Sequence, residues 1–280
     1  MTSAVLARTT AVVFAYHDVG VRCLGVLLDA GVKVPLVVTH RNDPEENIWF
    51  GSVADFSSQH GISFIEDPAA LEIPEADYIF SFYYRRMLPP EILRKGRQGA
   101  FNMHGSLLPK YRGRAPVNWA ILKGETETGA TLHEMTAKPD AGRIVGQERV
   151  AIGPDETALE VFRKVTDAAE MLLRRSMKNF LAGKIELHPQ DLSKGSYFGA
   201  RKPEDGRIDW SRSALEIHNL VRAVAPPYPG AFSNGLKVLR TKIEFQLTAK
   251  KQGPYREAGT WFAGCGDGKV LRLLEVQEKK

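Results

Sequence analysis

An asparagine and a histidine two residues apart, Asn102 and His104, end an apolar run and are followed by Gly105, Pro109 and Gly113. Side chains two apart on a strand point to the same face, so the amide and the imidazole project together. The glycines and the proline bend the backbone into loops just beyond them. The pair therefore stands at the carboxyl end of a strand, where the crevice of an open α/β sheet usually takes its ligand. Acyl transfer to an amine needs a donor for the oxygen that becomes negative, a group that handles the amine proton, and something that fixes that group. Asn102 offers the donor, and the His104 imidazole is a side chain that can exist in both protonation states near neutrality. Asp140, in Thr136-Ala137-Lys138-Pro139-Asp140-Ala141-Gly142, is the candidate third member, because its turn falls between two candidate strands. A carboxylate beside an imidazole stabilises the imidazolium. Spacing alone also fits a plainer reading, in which Asn102 and His104 are a satisfied polar pair and Asp140 a turn residue.

The elements that must position these groups follow an alternating pattern. Short apolar runs at residues 11–16, 34–40, 62–65, 78–84, 99–104, 130–135 and 143–152 read as strands. Residues 19–30 and 48–60 lie between the early ones with apolar side chains at helical spacing. Strand, helix, strand order of this kind implies a layered α/β fold, Rossmann-like, with a mainly parallel sheet. A longer helix is expected from Thr157, which has capping-box spacing to Glu160, to just before Gly183. Its stripe of Leu159, Phe162, Val165, Ala169, Leu172, Leu173 and Phe180 should pack on a core. Beyond the polar stretch 189–206 the chain changes character. Residues 232–233, 238–247, 260–262 and 270–277 read as short strands separated by Gly, Pro and Lys, a small β module. The expected division is a catalytic domain over residues 1–201 and a small C-terminal β domain over residues 202–280.

With 280 residues, 43% apolar and 25% charged, the chain can bury one large core or one core and a smaller module. Its longest apolar runs fall short of the roughly 18 to 20 residues that span a bilayer. The start, through Leu6 and Arg8, is a poor signal peptide, with a short, interrupted apolar stretch that ends in His17-Asp18, so the expected location is the cytoplasm. Cys23 and Cys265 are far apart and lack CxxC spacing, which supports neither a disulfide framework nor a cysteine metal site. A net charge of +5 favours anionic partners without choosing among phosphorylated metabolites, folates and RNA. The terminal Lys279-Lys280 reads as a solvated tail.

The stretch Phe101-Asn102-Met103-His104-Gly105-Ser106-Leu107-Leu108-Pro109-Lys110-Tyr111-Arg112-Gly113-Arg114-Ala115-Pro116 resembles the signature of the 10-formyltetrahydrofolate-dependent formyltransferases. Within that family it is most similar to the branch that formylates UDP-4-amino-4-deoxy-L-arabinose in lipid A modification and polymyxin resistance, there as the formyltransferase domain of a bifunctional protein. The similarity extends to Tyr16-His17-Asp18-Val19-Gly20, Phe80-Ser81-Phe82-Tyr83-Tyr84-Arg85, Asn118-Trp119, Gly124-Glu125-Thr126-Glu127-Thr128-Gly129, Asp140-Ala141-Gly142, Arg222-Ala223-Val224-Ala225 and Pro229-Gly230-Ala231-Phe232. It implies Asn102 as oxyanion stabiliser, His104 as proton-transfer residue and Asp140 as the group that orients His104. It implies folate contacts at Arg86, Met87 and Leu88, at Arg114, and at Thr136, Ala137, Lys138, Pro139 and Asp140. A solvated basic loop is the plain alternative for Lys110, Arg112 and Arg114. The C-terminal module resembles the family's open β-barrel of the OB type. The implied co-substrates are 10-formyltetrahydrofolate and a UDP-linked amino sugar, with no metal. The decarboxylase half of the bifunctional relative has no counterpart here, so the resemblance implies that a separate polypeptide supplies the decarboxylase and dehydrogenase step.

Three other readings remain. Another nucleotide-linked amino sugar fits the same fold, since fold does not fix substrate. Initiator methionyl-tRNA is a third acceptor for this family, but tRNA binding calls for an extended positive surface, and the loop at residues 41–47 carries acids. Nucleic acid is therefore not expected as a partner. A folate-binding module without catalysis is the non-enzyme alternative, opposed by the joint presence of Asn102, His104 and Asp140. A nicotinamide dehydrogenase is disfavoured because the loop after the first strand, Tyr16 to Cys23, lacks GxGxxG. Arg201, Arg222 and Tyr228 are candidates for contacting the nucleotide.

Overall fold

A computed structural model describes residues 9–44, 46–66, 72–233 and 235–278. The signal-like start through Arg8, residue 45 of the acidic loop and the Lys279-Lys280 tail lie outside the described residues. In chain order the elements are β1 (Thr10–Ala15), α1 (His17–Asp29), β2 (Lys33–Thr39), α2 (Val53–Gln59), β3 (Phe64–Glu66), β4 (Tyr78–Phe82), α3 (Pro90–Leu93), β5 (Ala100–His104), β6 (Arg112–Gly113), α4 (Pro116–Leu122), β7 (Glu127–Glu134), β8 (Ile144–Ala151), α5 (Ala158–Leu181), β9 (Tyr197–Phe198), α6 (Ala214–Val224), β10 (Ala231–Ser233), β11 (Leu236–Glu244), β12 (Gly253–Glu257), β13 (Thr260–Gly264) and β14 (Val270–Glu278). The chain divides into two compact units. The first takes Met1–Arg112, Gly129–Arg149 and Val165–Tyr197, and the second Gly113–Thr128, Val150–Lys164 and Phe198–Lys280.

Seven strands form the main sheet in the order β3-β2-β1-β4-β5-β7-β8. The pairs from β3 across to β5 are parallel, and β7 runs antiparallel to β5. Parallel strands covered on both faces read as continuous apolar runs, and the sequences of β1 and β4, buried almost throughout, do so. Strand order reverses between β1 and β4, which makes their carboxyl ends a topological switch point. Under the sheet, Tyr78, Phe80 and Phe101 gather around Phe180 of α5 with ring centroids 5.0 to 5.2 Å apart. The Tyr78 hydroxyl bonds to the Phe180 carbonyl and to Gln98 Oε1, each at 2.8 Å. Edge-to-face pairs of this kind add about 0.5 to 1.5 kcal/mol each beyond the area they bury.

Two departures from the sequence pattern have local causes. The helix expected over residues 48–60 forms only at Val53–Gln59, with Ser52 Oγ accepting from Asp55 N at 3.0 Å. The residues before it are drawn elsewhere: Gly51 N donates to Asp18 Oδ1 at 2.6 Å, and Trp49 and Phe50 pack against His17. The strand expected to reach residue 84 stops at Phe82, because Tyr83 turns with φ +58°. The long helix does start at the Thr157 and Glu160 capping box, where Glu160 Oε2 accepts from Thr157 N at 2.7 Å, and Gly183 beyond it has φ +63°.

In the second unit, five antiparallel strands lie in the order β10-β11-β14-β13-β12, a sheet open at β10 and β12. Helix α6 packs on it through Ile217 and Val221, which share a buried cluster with Ile208, Trp210, Val238 and Leu271. Sequence reading did not find α6, although Ser213 and Glu216 make a capping box. It also did not find β12, whose Gly253 and Pro254 carry the composition of a loop.

Candidate active site

Asn102, His104 and Asp140 all lie within the first unit. Asn102 and His104 occupy the end of β5, and the register sets His133 of β7 directly opposite Asn102. His104 is 6% exposed and His133 2%. Asp140 follows β7 in a turn where it adopts φ +49°, a left-handed conformation that aspartate tolerates better than most residues. The Gln190 amide holds that turn by donating to the Asp140 and Gly142 carbonyls at 3.1 and 2.5 Å. Gly142 has no room for a side chain, since a Cβ there would lie 1.9 Å from the Glu134 carbonyl oxygen.

The turn brings Asp140 Oδ1 to 3.6 Å from His104 Nδ1 and 3.5 Å from His133 Nε2. On its other side, His104 Nε2 is 2.8 Å from the Tyr111 carbonyl. A carbonyl oxygen only accepts, so Nε2 carries a hydrogen and Nδ1 is the nitrogen left for chemistry. The Tyr111 carbonyl is itself pinned. Tyr111 N donates to Ser196 Oγ at 2.9 Å, and Ser106 Oγ donates to the Lys110 carbonyl at 2.7 Å. Thr131 Oγ1 donates to the Ser106 carbonyl at 2.6 Å, and the Gln147 amide bonds to the Leu108 carbonyl at 2.9 Å. The Gly and Pro loop seen in the sequence is thus the device that fixes the histidine's tautomer.

His133 is a residue of the candidate site that sequence reasoning missed. Its Nδ1 faces the Glu134 carbonyl at 2.9 Å, and its Nε2 is 3.2 Å from Asn102 Nδ2. The available signal was a lone histidine in the apolar run of residues 130–135, one strand away from the Asn-x-His pair. Chemically, an amide donor, an imidazole with one uncommitted nitrogen and a carboxylate are within reach of one another, the set required for acyl transfer to an amine.

The remaining candidates are spread more widely. Arg86 and Met87 are exposed after β4, while Leu88 is buried in the cluster of Val12, Phe14, Val38 and Ile79. Thr136, Ala137 and Lys138 are exposed, Pro139 is half-buried, and Thr136 Oγ1 donates to the Lys138 carbonyl at 3.0 Å. Arg114 is exposed in the second unit, its N donating to the Phe198 carbonyl at 2.9 Å. Of the nucleotide candidates, Arg222 is buried and bonds to Asn219 Oδ1 and to the Gly153 and Glu156 carbonyls, a structural assignment. Burial pushes the Tyr228 hydroxyl up to about 12, with a hydrogen bond to Asn118 opposing it. Arg201 lies over the Trp119 ring at 4.9 Å, and burial pushes its guanidinium below the ordinary value.

The Tyr16-His17 motif forms an aromatic wall. His17 has φ +68° and stacks on Phe50 with centroids 3.9 Å apart, with Trp49 edge-on. Burial, and then the Arg85 guanidinium, push its imidazole down to about 3. Arg85 in turn lies over Tyr16 and makes a bidentate pair with Glu46 at 2.8 and 2.9 Å. Among the described residues, no group of three or more His, Cys, Asp or Glu side chains could hold a metal ion, and no helix is long and apolar enough to cross a membrane.

A family model described as "Formyl transferase" matches residues 63–177, and one described as "Formyl transferase, C-terminal domain" matches residues 201–280. Solved structures share the fold. An N-formyltransferase from Helicobacter canadensis in complex with folinic acid and dTDP-3-aminofucose aligns over 95% of this chain and 98% of its own, with TM-score 0.78 and 22% identity. A 4-N formyltransferase from Francisella tularensis aligns over 79% and 90%, with TM-score 0.66 and 21% identity. HypX from Aquifex aeolicus in complex with tetrahydrofolic acid aligns over 98% of this chain and 45% of its own, with TM-score 0.65 and 20% identity.

Proposed function

The chain belongs to the formyl transferase family, and from that premise we propose that it transfers the formyl group of 10-formyltetrahydrofolate to the amine of a nucleotide-linked amino sugar, UDP-4-amino-4-deoxy-L-arabinose. The observation that carries the reading is the convergence of Asn102, His104 and Asp140 at the end of β5, with His104 Nδ1 3.6 Å from the Asp140 carboxylate and its other nitrogen committed to the Tyr111 carbonyl. Support for a folate donor and a sugar acceptor comes from the relatives of the same fold that hold folinic acid, tetrahydrofolic acid and dTDP-3-aminofucose.

In the proposed reaction the sugar amine attacks the formyl carbon and the new C–N bond forms. The carbonyl oxygen becomes negative and is met by an N–H of Asn102. His104 Nδ1 takes the amine proton, with Asp140 stabilising the imidazolium, and delivers it to the folate N10 as the old C–N10 bond breaks. Within the first unit, Arg86, Met87, Leu88 and the segment Thr136, Ala137, Lys138, Pro139, Asp140 hold the folate. Within this reading the catalytic domain occupies residues 1–201 and the small β domain, of OB type, residues 202–280.

The test is release of tetrahydrofolate from 10-formyltetrahydrofolate in the presence of UDP-4-amino-4-deoxy-L-arabinose, other nucleotide-linked amino sugars, or charged initiator tRNA in separate reactions. Turnover with the UDP sugar, lowered about 100-fold to 1,000-fold in Asn102→Ala, is the expected result. Turnover with another sugar alone would move the acceptor, and turnover with tRNA alone would overturn the sugar reading.

A further inference from the structure

Asn102 can act as an oxyanion donor only if its amide is held the right way round. The two ends of an asparagine amide, Oδ1 and Nδ2, are nearly the same size, and only hydrogen bonding selects which of them faces a given neighbour. Here the neighbour is His133, directly across the β5 and β7 pair and 2% exposed. Directly paired residues on one sheet face are each other's closest side-chain neighbours.

We infer that His133 is a positioning residue that fixes the Asn102 amide, by presenting the lone pair of its Nε2 to one N–H of Nδ2 and leaving the second N–H for the developing oxyanion. This inference rests on the proposed role of Asn102. The carbonyl of Glu134, 2.9 Å from His133 Nδ1, can only accept, so in the neutral ring the hydrogen resides on Nδ1 and Nε2 is an acceptor. Nε2 lies 3.2 Å from Asn102 Nδ2. A flipped amide would set Oδ1 against that lone pair, acceptor against acceptor, and is disfavoured. Asp140 Oδ1 lies farther from that Nε2 than the amide does, at 3.5 Å against 3.2 Å, and its carboxylate is 3.6 Å from His104 Nδ1. One ring therefore lies beside both the donor amide and the carboxylate that serves the proton-transfer histidine. Preorganisation of this kind is what gives an oxyanion donor its value, since no reorientation is needed as charge develops.

The experiment compares His133→Leu, His133→Gln, Asn102→Ala and the His133→Leu/Asn102→Ala double variant of the full chain, with 10-formyltetrahydrofolate and the acceptor that supports turnover. His133→Leu is expected to lower kcat about 10-fold or more, a part of the about 100-fold to 1,000-fold carried by an oxyanion donor, with KM for the folate within about twofold of wild type. His133→Gln, whose Oε1 can accept the same hydrogen bond, is expected to recover most of the loss. The double variant should be no slower than Asn102→Ala alone, because the two residues act as one unit. A His133→Leu enzyme that folds and keeps the wild-type kcat overturns the inference, as does a fully additive double variant or a folded His133→Gln as slow as His133→Leu. If His133→Leu fails to fold, His133→Met carries the same comparison. Wild-type turnover in Asn102→Ala would bring down the oxyanion reading itself, an outcome separate from a crippled Asn102→Ala beside an unaffected His133→Leu.

Discussion

Two buried histidines in the first unit, His17 and His104, show what turns an imidazole into a reagent. His17 follows β1 and His104 ends β5, two strands flanking β4 and parallel to it, and the rings are 8% and 6% exposed. His17 is walled by Phe50 and Trp49 and lies in the field of the Arg85 guanidinium. Burial comes first among the causes that hold it neutral, down to about 3, and its Nδ1 is occupied in accepting from Asp18 N at 2.9 Å. Each ring has a carboxylate nearby, Asp18 Oδ2 at 3.8 Å from His17 Nδ1 and Asp140 Oδ1 at 3.6 Å from His104 Nδ1. The His104 tautomer, however, is fixed from the other side by a backbone carbonyl, which leaves its Nδ1 for chemistry. Burial beside a guanidinium, with Nδ1 already accepting from the backbone, holds His17 neutral and occupied. What sets His104 apart is the committed Nε2, which leaves Nδ1 facing a carboxylate.

The sharpest way to break this comparison is to remove each ring in turn. His104→Gln is expected to lower kcat by about 100-fold to 10,000-fold, the span of general acid–base contributions. His17→Asn should leave kcat within a few-fold, both variants being checked for folding by circular dichroism. Equal losses would show that the aromatic wall takes part in the chemistry and that the contrast is false. A smaller effect is expected from moving the carboxylate without touching either histidine. In Gly142→Ala the new Cβ would collide with the Glu134 carbonyl, so the turn that carries Asp140 has to shift. Overpacking of this kind costs about 1 to 3 kcal/mol, and turnover should fall with it, by about 10-fold for a misplacement near 1 Å that is milder than the most severe cases. Gly31→Ala is the control, with φ +77° and nothing within 4 Å of the added methyl. It should lose stability without losing turnover per folded molecule.

Much of this arrangement was legible in the residues. Asn102 and His104 stand two apart before Gly105, and Thr136 through Gly142 has the composition of a turn, so the pairing of a β5 end with a carboxylate could be written down in advance. The alternation of strands and helices gave the mainly parallel sheet, since runs such as Val12-Val13-Phe14 fit strands covered on both faces. What could not be read were relations created by strand pairing. His133 looks like any polar residue in a strand until the antiparallel register places it across from Asn102. The fixed tautomer of His104 depends on a carbonyl seven residues away, held by Ser196 from a distant part of the chain. Residues 48–51 have helical spacing, yet Asp18 and His17 bind them in another conformation. Local pattern sets the elements, and contacts distant in sequence set which groups face one another.

The last prediction concerns stability and sharpens the contrast from the His17 side. With its imidazole pushed down to about 3 in the folded chain and near 6.5 when unfolded, His17 binds more protons in the unfolded state between those values. Stability from this group is therefore fully present above about pH 6.5 and is lost as pH falls toward 3, by up to about 1.4 kcal/mol per pH unit. His218, also held below its ordinary value by burial first, contributes with the same sign. Urea unfolding between pH 4.5 and 7 should give a slope that becomes shallower in His17→Asn, a residue that keeps the left-handed backbone accessible while removing the titrating ring. The double variant His17→Asn/His218→Asn should flatten it further. An unchanged slope in His17→Asn would mean that the ring is protonated freely in the folded chain and that burial behind the aromatic wall does not hold it neutral.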